Sequence, residues 1–206
     1  MSRIAIVILA AGASKRMGIS KQLLRHRGRT VIRHAADTAL GSTCRPVVVV
    51  LGANAVEIQP EVEGLPVQIV QNPHWAEGLG SSIRVGIEAL ASQADPPEAV
   101  VLSLCDQPLV SSDDIEALVT AYRSTKRPII ASQYAGTLGV PALFAQPMLS
   151  ELLSLAGDAG AKQVIQENLA TVWPVPCPHA AFDLDTLEDY EAIRSETCDA
   201  GSLQEE

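Results

Sequence analysis

The chain has 206 residues, with 47% hydrophobic and 19% charged residues and a formal net charge of −9. At ~100–200 residues per domain this is one domain, long enough to bury most of its unfolded surface without a disulfide or metal staple. The composition excludes a disordered chain, the acidic balance is the reverse of a nucleic-acid-binding domain's, and no apolar run approaches the ~18–20 residues that cross a bilayer.

The charge is uneven. No acidic residue precedes Asp37, whereas Arg3, Lys15, Arg16, Lys21, Arg25, Arg27, Arg29 and Arg33 are basic, so the first 36 residues carry +8 and the rest −17. This pattern suggests a local anion site on an acidic body, although a solvated basic face explains the charge equally well.

Residues 4–9 form an aliphatic run after Arg3. Extended to Ala11 it mimics a short secretory signal, but a first strand feeding a glycine loop explains the same residues, and similar runs recur at 47–51, 67–70, 100–104 and 129–132. Their continuous apolarity suggests strands buried on both faces, as in a parallel sheet. Helical patterns lie between them at 31–40, 81–91 and 112–124, the last preceded by Ser111 and Asp114 in a capping-box spacing. This alternation predicts a doubly wound, mostly parallel α/β sheet.

Beyond Ser132 the rhythm changes. Gly136, Gly139 and Pro141 interrupt a stretch ending in an apolar run at 140–144, helical patterns follow at 148–155 and 162–169, and a strand is predicted at 171–175. Thr186 then caps a helix to about Glu196. Residues 1–196 are read as the domain and 197–206 as a polar tail. Cysteines at 44, 105, 177 and 198 have neither zinc nor redox spacing, and reduced, buried thiols in a cytoplasmic protein are the default.

Four segments carry chemistry. In Leu9-Ala10-Ala11-Gly12-Ala13-Ser14-Lys15-Arg16-Met17-Gly18, followed by Lys21, a strand opens into small residues whose backbone N–H groups can approach phosphate oxygens, with cations beyond. It is not a Walker A loop, since no Lys-Ser/Thr follows Gly18, nor GxGxxG, since Ser14 stands at the second glycine position, and a tight strand–helix connection explains the residues equally well. Asp106 follows the strand at 100–104, at the edge where open α/β sheets bind ligands, and a lone carboxylate there can hold Mg²⁺ on a phosphate. Asp183 and Asp185 are two apart on one face of an extended segment, and either can join Asp106. They also fit the acids favoured before a helix. The stretch from Asn72 to Arg84 offers Ser81, Ser82 and Arg84 to a polar ligand, or simply an N-cap. His26, His34, His74 and His179 are scattered, and no Ser/His/Asp order suggests a hydrolase.

Taken together these segments resemble the MobA-like nucleotidyltransferases, most closely their cytidine branch, the molybdenum cofactor cytidylyltransferases. The resemblance runs from Ile4 to about Arg194 and rests on LAAGASKRMG with KQLL, NPHWAEGLGSSIRVG, CDQPLV, GTLGVPALF, GDAGAK and FDLDTLEDY, in the family's order. The chain departs at Leu187, where relatives often carry proline. The resemblance implies a Rossmann-like nucleotidyltransferase fold and transfer of CMP from CTP to the phosphate of molybdopterin, with Mg²⁺ required and pyrophosphate released.

Residue by residue, the resemblance implies a nucleotide loop of Leu9, Ala10, Ala11, Gly12 and Ser14, with Arg16 and Lys21 on the triphosphate. Asp106 and Asp185 hold Mg²⁺, and Lys21, Arg16 and Asp106 form the catalytic set. Asn72, Ser81 and Ser82 contribute to the nucleotide site, and Arg84, Gly157, Asp158 and Lys162 to the acceptor site. Ala11 points to CTP, because guanosine enzymes of the family read LAGG at the loop. A molybdoenzyme or its maturation chaperone is the implied recipient, with no nucleic-acid or membrane partner. Three alternatives stay open: another phosphorylated acceptor or GTP, a non-catalytic molybdenum cofactor escort, and a dinucleotide-dependent oxidoreductase.

Overall fold

The computed structural model describes residues 3–14 and 16–199, with side chains described to Arg194. In chain order the strands are β1 (Ile4–Ala10), β2 (Arg25–His26), β3 (Arg29–Thr30), β4 (Val47–Leu51), β5 (Gln68–Gln71), β6 (Ala99–Leu104), β7 (Ile129–Tyr134), β8 (Thr137–Ala145) and β9 (Val172–Pro176). The helices are α1 (Val31–Gly41), α2 (Ala55–Ile58), α3 (Leu79–Ala91), α4 (Ser112–Thr125), α5 (Leu149–Ser154), α6 (Ala161–Glu167) and α7 (Leu187–Asp199). Seven strands form one sheet in the order β5-β4-β1-β6-β8-β7-β9, and β2 pairs with β3 alone.

The continuous apolar runs are explained by burial on both faces. In β1, Ile4, Ile6 and Ile8 join a core with α1, α4 and α7, while Ala5, Val7 and Leu9 join a second core with α3, α5 and α6. Side chains alternate across a strand, so one run supplies both layers. This is the expected doubly wound fold in a single domain. The predicted elements stand with ends shifted by a residue or two or, for β7 and β8, extended, and α7 continues past Glu196 to Asp199.

One feature departs from a uniformly parallel sheet: β8 pairs antiparallel with both β6 and β7. The β7–β8 connection is Ala135 and Gly136, with φ of 46° and 74°. Two successive positive φ values make the tight turn that suits strand twist. The two-residue hairpin β2–β3 uses the same device at Arg27 and Gly28. At the far edge, β9 carries Pro174 and Pro176, which are tolerated where no further strand needs their missing N–H.

Cys44, Cys105 and Cys177 are free and buried, as expected, while Cys198's side chain lies outside the described residues. The predicted tail lies mostly outside them too, as does Lys15. Among the described residues no helix is long and apolar enough to cross a membrane.

The site follows from the topology. β1 lies between β4 and β6, and Leu9 is in register with Leu104. The loop after β1 and the loop after β6 therefore leave the sheet side by side at its carboxyl edge, where open α/β folds form a crevice.

Candidate active site

An open cleft lies over this edge. Its floor is Leu9, Ala10, Ala11, Leu104 and Cys105, and its walls include Gly12, Lys21, Gln22, Trp75, Gly78, Leu79, Ser82, Asp106 and Asp158.

Four charged groups from three distant parts of the chain meet at one end. Lys21 Nζ lies 2.5 Å from Asp106 Oδ2 and 3.1 Å from Asp185 Oδ1. Arg16 Nη1 reaches Asp185 Oδ2 at 2.8 Å. Lys21 is largely enclosed, with its side chain 15% exposed, whereas Arg16 is 75% exposed and free to re-aim. Burial by itself lowers the Lys21 pKa, but the Asp106 carboxylate and then Asp185 more than offset this and hold it above the ordinary lysine value. The ammonium stays charged.

The chain brings Asp185 here by two local devices. Leu184 is fully buried, and its N–H donates to Asp106 O at 2.8 Å, which docks the extended segment beside Asp106. Thr186 and Asp189 then cap α7 reciprocally: Thr186 N donates to Asp189 Oδ2 at 2.7 Å and Asp189 N to Thr186 Oγ1 at 3.1 Å. Asp185, not Asp183, thereby reaches Lys21. The Asp183 carboxyl is pushed up by desolvation and then by the charge of Asp106. Asp106 Oδ1 is buried and has no hydrogen-bond partner among the described residues. The Cys105 thiol, also buried, is pushed up far enough to stay protonated.

The loop after β1 presents backbone to the cleft. The Ala10 and Gly12 carbonyls accept from Gln22 Nε2 at 3.1 and 2.8 Å, and the Ala11 carbonyl accepts from Ala53 N at 3.0 Å. No described residue accepts from the N–H groups of Ala11, Gly12 and Ala13. Ser14 serves the loop itself. At φ 51° it turns the chain, its Oγ accepts from Lys21 N at 3.0 Å, and its carbonyl accepts from Met17 and Gly18.

The predicted residues separate into three groups. Leu9, Ala10, Ala11, Gly12, Lys21, Ser82, Asp106 and Asp158 line the cleft, and Arg16 and Asp185 meet at its charged end. Asn72 and Ser81 lie behind it. Both are buried, Asn72 Nδ2 donates to Ser81 Oγ and Ser82 Oγ at 2.8 and 3.0 Å, and Asn72 Oδ1 accepts from His74 N. Arg84 is held by Leu155 O and Glu77, and Gly157 O accepts from Gly80 N. Lys162 is exposed on α6, away from the cleft lining.

Sequence reasoning missed Gln22, Trp75 and Gly52. A Cβ on Gly52 would stand 2.8 Å from Ala11 O and 2.6 Å from Trp75 Cβ, so the bare glycine lets the loop and Trp75 close on each other. No local pattern flags it, because both neighbours are remote in sequence.

The sequence profile of the MobA-like NTP transferase domain matches residues 6–172. The chain belongs to this family. Among MobA-like relatives, nicotine blue oxidoreductase of Paenarthrobacter nicotinovorans is 34% identical over 88% of this chain and 92% of its own length. Two solved structures share the MobA-like fold. The Mycobacterium sp. strain JC1 homologue of Mycobacterium tuberculosis Rv0371c has a TM-score of 0.81 and 28% identity, covering 96% of this chain and 98% of that one. Rv0371c of M. tuberculosis H37Rv, in complex with manganese, has a TM-score of 0.75 and 26% identity, covering 93% and 98%. The protein is thus a MobA-like nucleotidyltransferase, and its cleft is where that chemistry is to be sought.

Proposed function

We propose that this chain transfers CMP from CTP to the terminal phosphate of molybdopterin. An acceptor phosphate oxygen forms a bond to the α-phosphorus, the bond from that phosphorus to the β-bridging oxygen breaks, and pyrophosphate leaves. The observation that carries this reading is the convergence of Lys21, Asp106 and Asp185 near a loop with three backbone N–H groups that have no partner among the described residues. Such an arrangement suits a reaction that needs alignment and charge neutralisation rather than a covalent nucleophile. The cytidine and molybdopterin assignments rest on the LAAG loop and on the cofactor-branch motifs.

The residues fit a divalent cation. Two carboxylates from separate segments reach one cationic group, and Asp106 Oδ1 is a buried oxygen with no donor. Asp106 and Asp185 would hold Mg²⁺, with water and phosphate oxygens completing its shell. When bound, the ion supplies charge neutralisation at the triphosphate. Lys21 contributes a fixed positive charge at the same place, and exposed Arg16 swings from Asp185 toward the pyrophosphate. The loop N–H groups hold the nucleotide in register.

A second reading comes from the relative named as an oxidoreductase: the same cleft binding a dinucleotide for redox chemistry. Ser14 at the second glycine position of the dinucleotide fingerprint disfavours it. One assay separates the two. The purified protein is given CTP or GTP with molybdopterin and Mg²⁺, and pyrophosphate and the dinucleotide product are measured. Stoichiometric pyrophosphate with CTP is expected. Pyrophosphate with another phosphorylated acceptor only, or none together with NAD(P)H oxidation, overturns the assignment.

A further inference from the structure

Gln22 is 2% exposed, yet its amide lies at the lip of the cleft. Its Nε2 donates to Ala10 O at 3.1 Å and to Gly12 O at 2.8 Å, and its Oε1 accepts from Ser14 Oγ at 3.3 Å. One side chain thus ties three points of the loop across which the chain turns. Peptide geometry gives this a consequence. In a trans peptide the C=O and the following N–H point in opposite directions. Fixing the Ala10 and Gly12 carbonyls on Gln22 aims the N–H groups of Ala11 and Gly12's successor, Ala13, the other way. The Ala11 carbonyl on Ala53 does the same for the Gly12 N–H. Three consecutive donors are left without partners among the described residues, and unpaired backbone N–H groups attract anions.

We propose that Gln22 is a positioning residue: it holds the loop carbonyls back so that the loop N–H groups stand ready for a polyphosphate. This rests on the reading of the loop as the triphosphate site. Gln22 touches no reacting atom. Its work is done before the nucleotide arrives, so its loss weakens binding of the phosphate chain rather than the chemical step.

The test uses inorganic tripolyphosphate with Mg²⁺, a probe with neither base nor acceptor, titrated calorimetrically into wild type, Gln22→Leu and Gln22→Glu, with circular dichroism to verify folding. Gln22→Leu is expected to weaken tripolyphosphate binding at least tenfold and to raise KM for CTP by a similar factor, with little change in kcat. Gln22→Glu supplies a readout that a merely structural role would not move. Its ionised carboxylate faces two carbonyl oxygens, whereas its protonated form donates one hydrogen bond back. Its affinity for tripolyphosphate should therefore improve as pH falls, while wild-type affinity weakens as the ligand itself takes up protons. Wild-type-like binding by folded Gln22→Leu overturns the proposal. Should that variant not fold, a Gln22→Glu pH profile parallel to wild type overturns it instead. Wild type that binds neither tripolyphosphate nor any nucleoside triphosphate overturns the loop reading, and this proposal with it.

Discussion

Residues 10–18 and 72–84 are both small, polar, glycine-bearing stretches at strand-to-helix junctions, and both invite a ligand. In the first, the Gln22 side chain and the Ala53 N–H take up the backbone carbonyls, and three successive N–H groups have no partner among the described residues. In the second, Asn72, Ser81, Ser82, His74 and Gly78 bond to one another, and little is left over. The polar content is similar, so what distinguishes a binding loop from a scaffold is whether its donors already have partners. Buried polar groups nearly always find them, which makes the unpaired ones informative.

The sharpest way to break this contrast is at Lys21. With its charge fixed beside the loop, Lys21→Ala is expected to lower kcat by roughly 10²–10³, the effect of removing one preorganised stabilising group. Steady-state kinetics decide it: a rise confined to the KM for nucleotide makes Lys21 a binding residue and leaves charge stabilisation to other groups.

Acid tests the foundations of the two stretches. The loop leads on to the β2–β3 hairpin, where His26 is buried, neither ring nitrogen has a hydrogen-bond partner among the described residues, and burial pushes its pKa down to about 4. Because the unfolded histidine binds its proton near pH 6.5, this group's contribution is full above that pH and is lost as pH falls toward 4, a change of about 3 kcal/mol. The Asn72 network contains no titrating side chain. Urea unfolding at stepped pH should show this loss in wild type and a flatter profile in His26→Leu.

At Asn72 the expected damage is to folding. Asn72→Ala strips two hydroxyls and the His74 N–H of a buried partner, a cost of about 2 kcal/mol. Chemical denaturation should register it, with kcat of the folded fraction near wild type. A stable variant that has lost CTP binding would move Asn72 from scaffold to ligand site.

The smallest effect is expected at Ala11. It lies outside the left-handed region, so the backbone cost that would separate alanine from glycine here does not arise, and only the methyl remains. Ala11→Gly should shift the ratio of kcat/KM for CTP over GTP by about 1 kcal/mol. Equal use of both nucleotides by wild type would remove the cytidine assignment and leave the charged end of the cleft untouched.

The layers of the fold were legible because the central strands β1, β4 and β6 had to satisfy two cores at once, and that requirement is written as unbroken aliphatic sequence. The reversal at β8 was not, since a strand's direction depends on a turn made by Ala135 and Gly136 rather than on its own residues. In the site, Lys21, Asp106 and the acidic pair stood out by chemistry and position. Which acid reaches Lys21 did not, because residues two apart in an extended segment share a face until Leu184 docks and α7 begins. Gln22 and Gly52 carry no local signal: one acts through carbonyls ten and twelve residues away, the other through the space it leaves for Ala11 and Trp75.

The docking of Leu184 on Asp106 also sets an order of events during synthesis. Lys21 and Asp185 are separated by 164 positions, so the residues of the first part of the cleft are synthesised long before its last carboxylate. A chain that stops short of Asp185 has the loop after β1 and Asp106 but lacks the carboxylate that completes the charged end. On the proposed reading, in which Asp185 helps to hold the cation, the charged end is complete only once the segment leading into α7 has docked on Asp106.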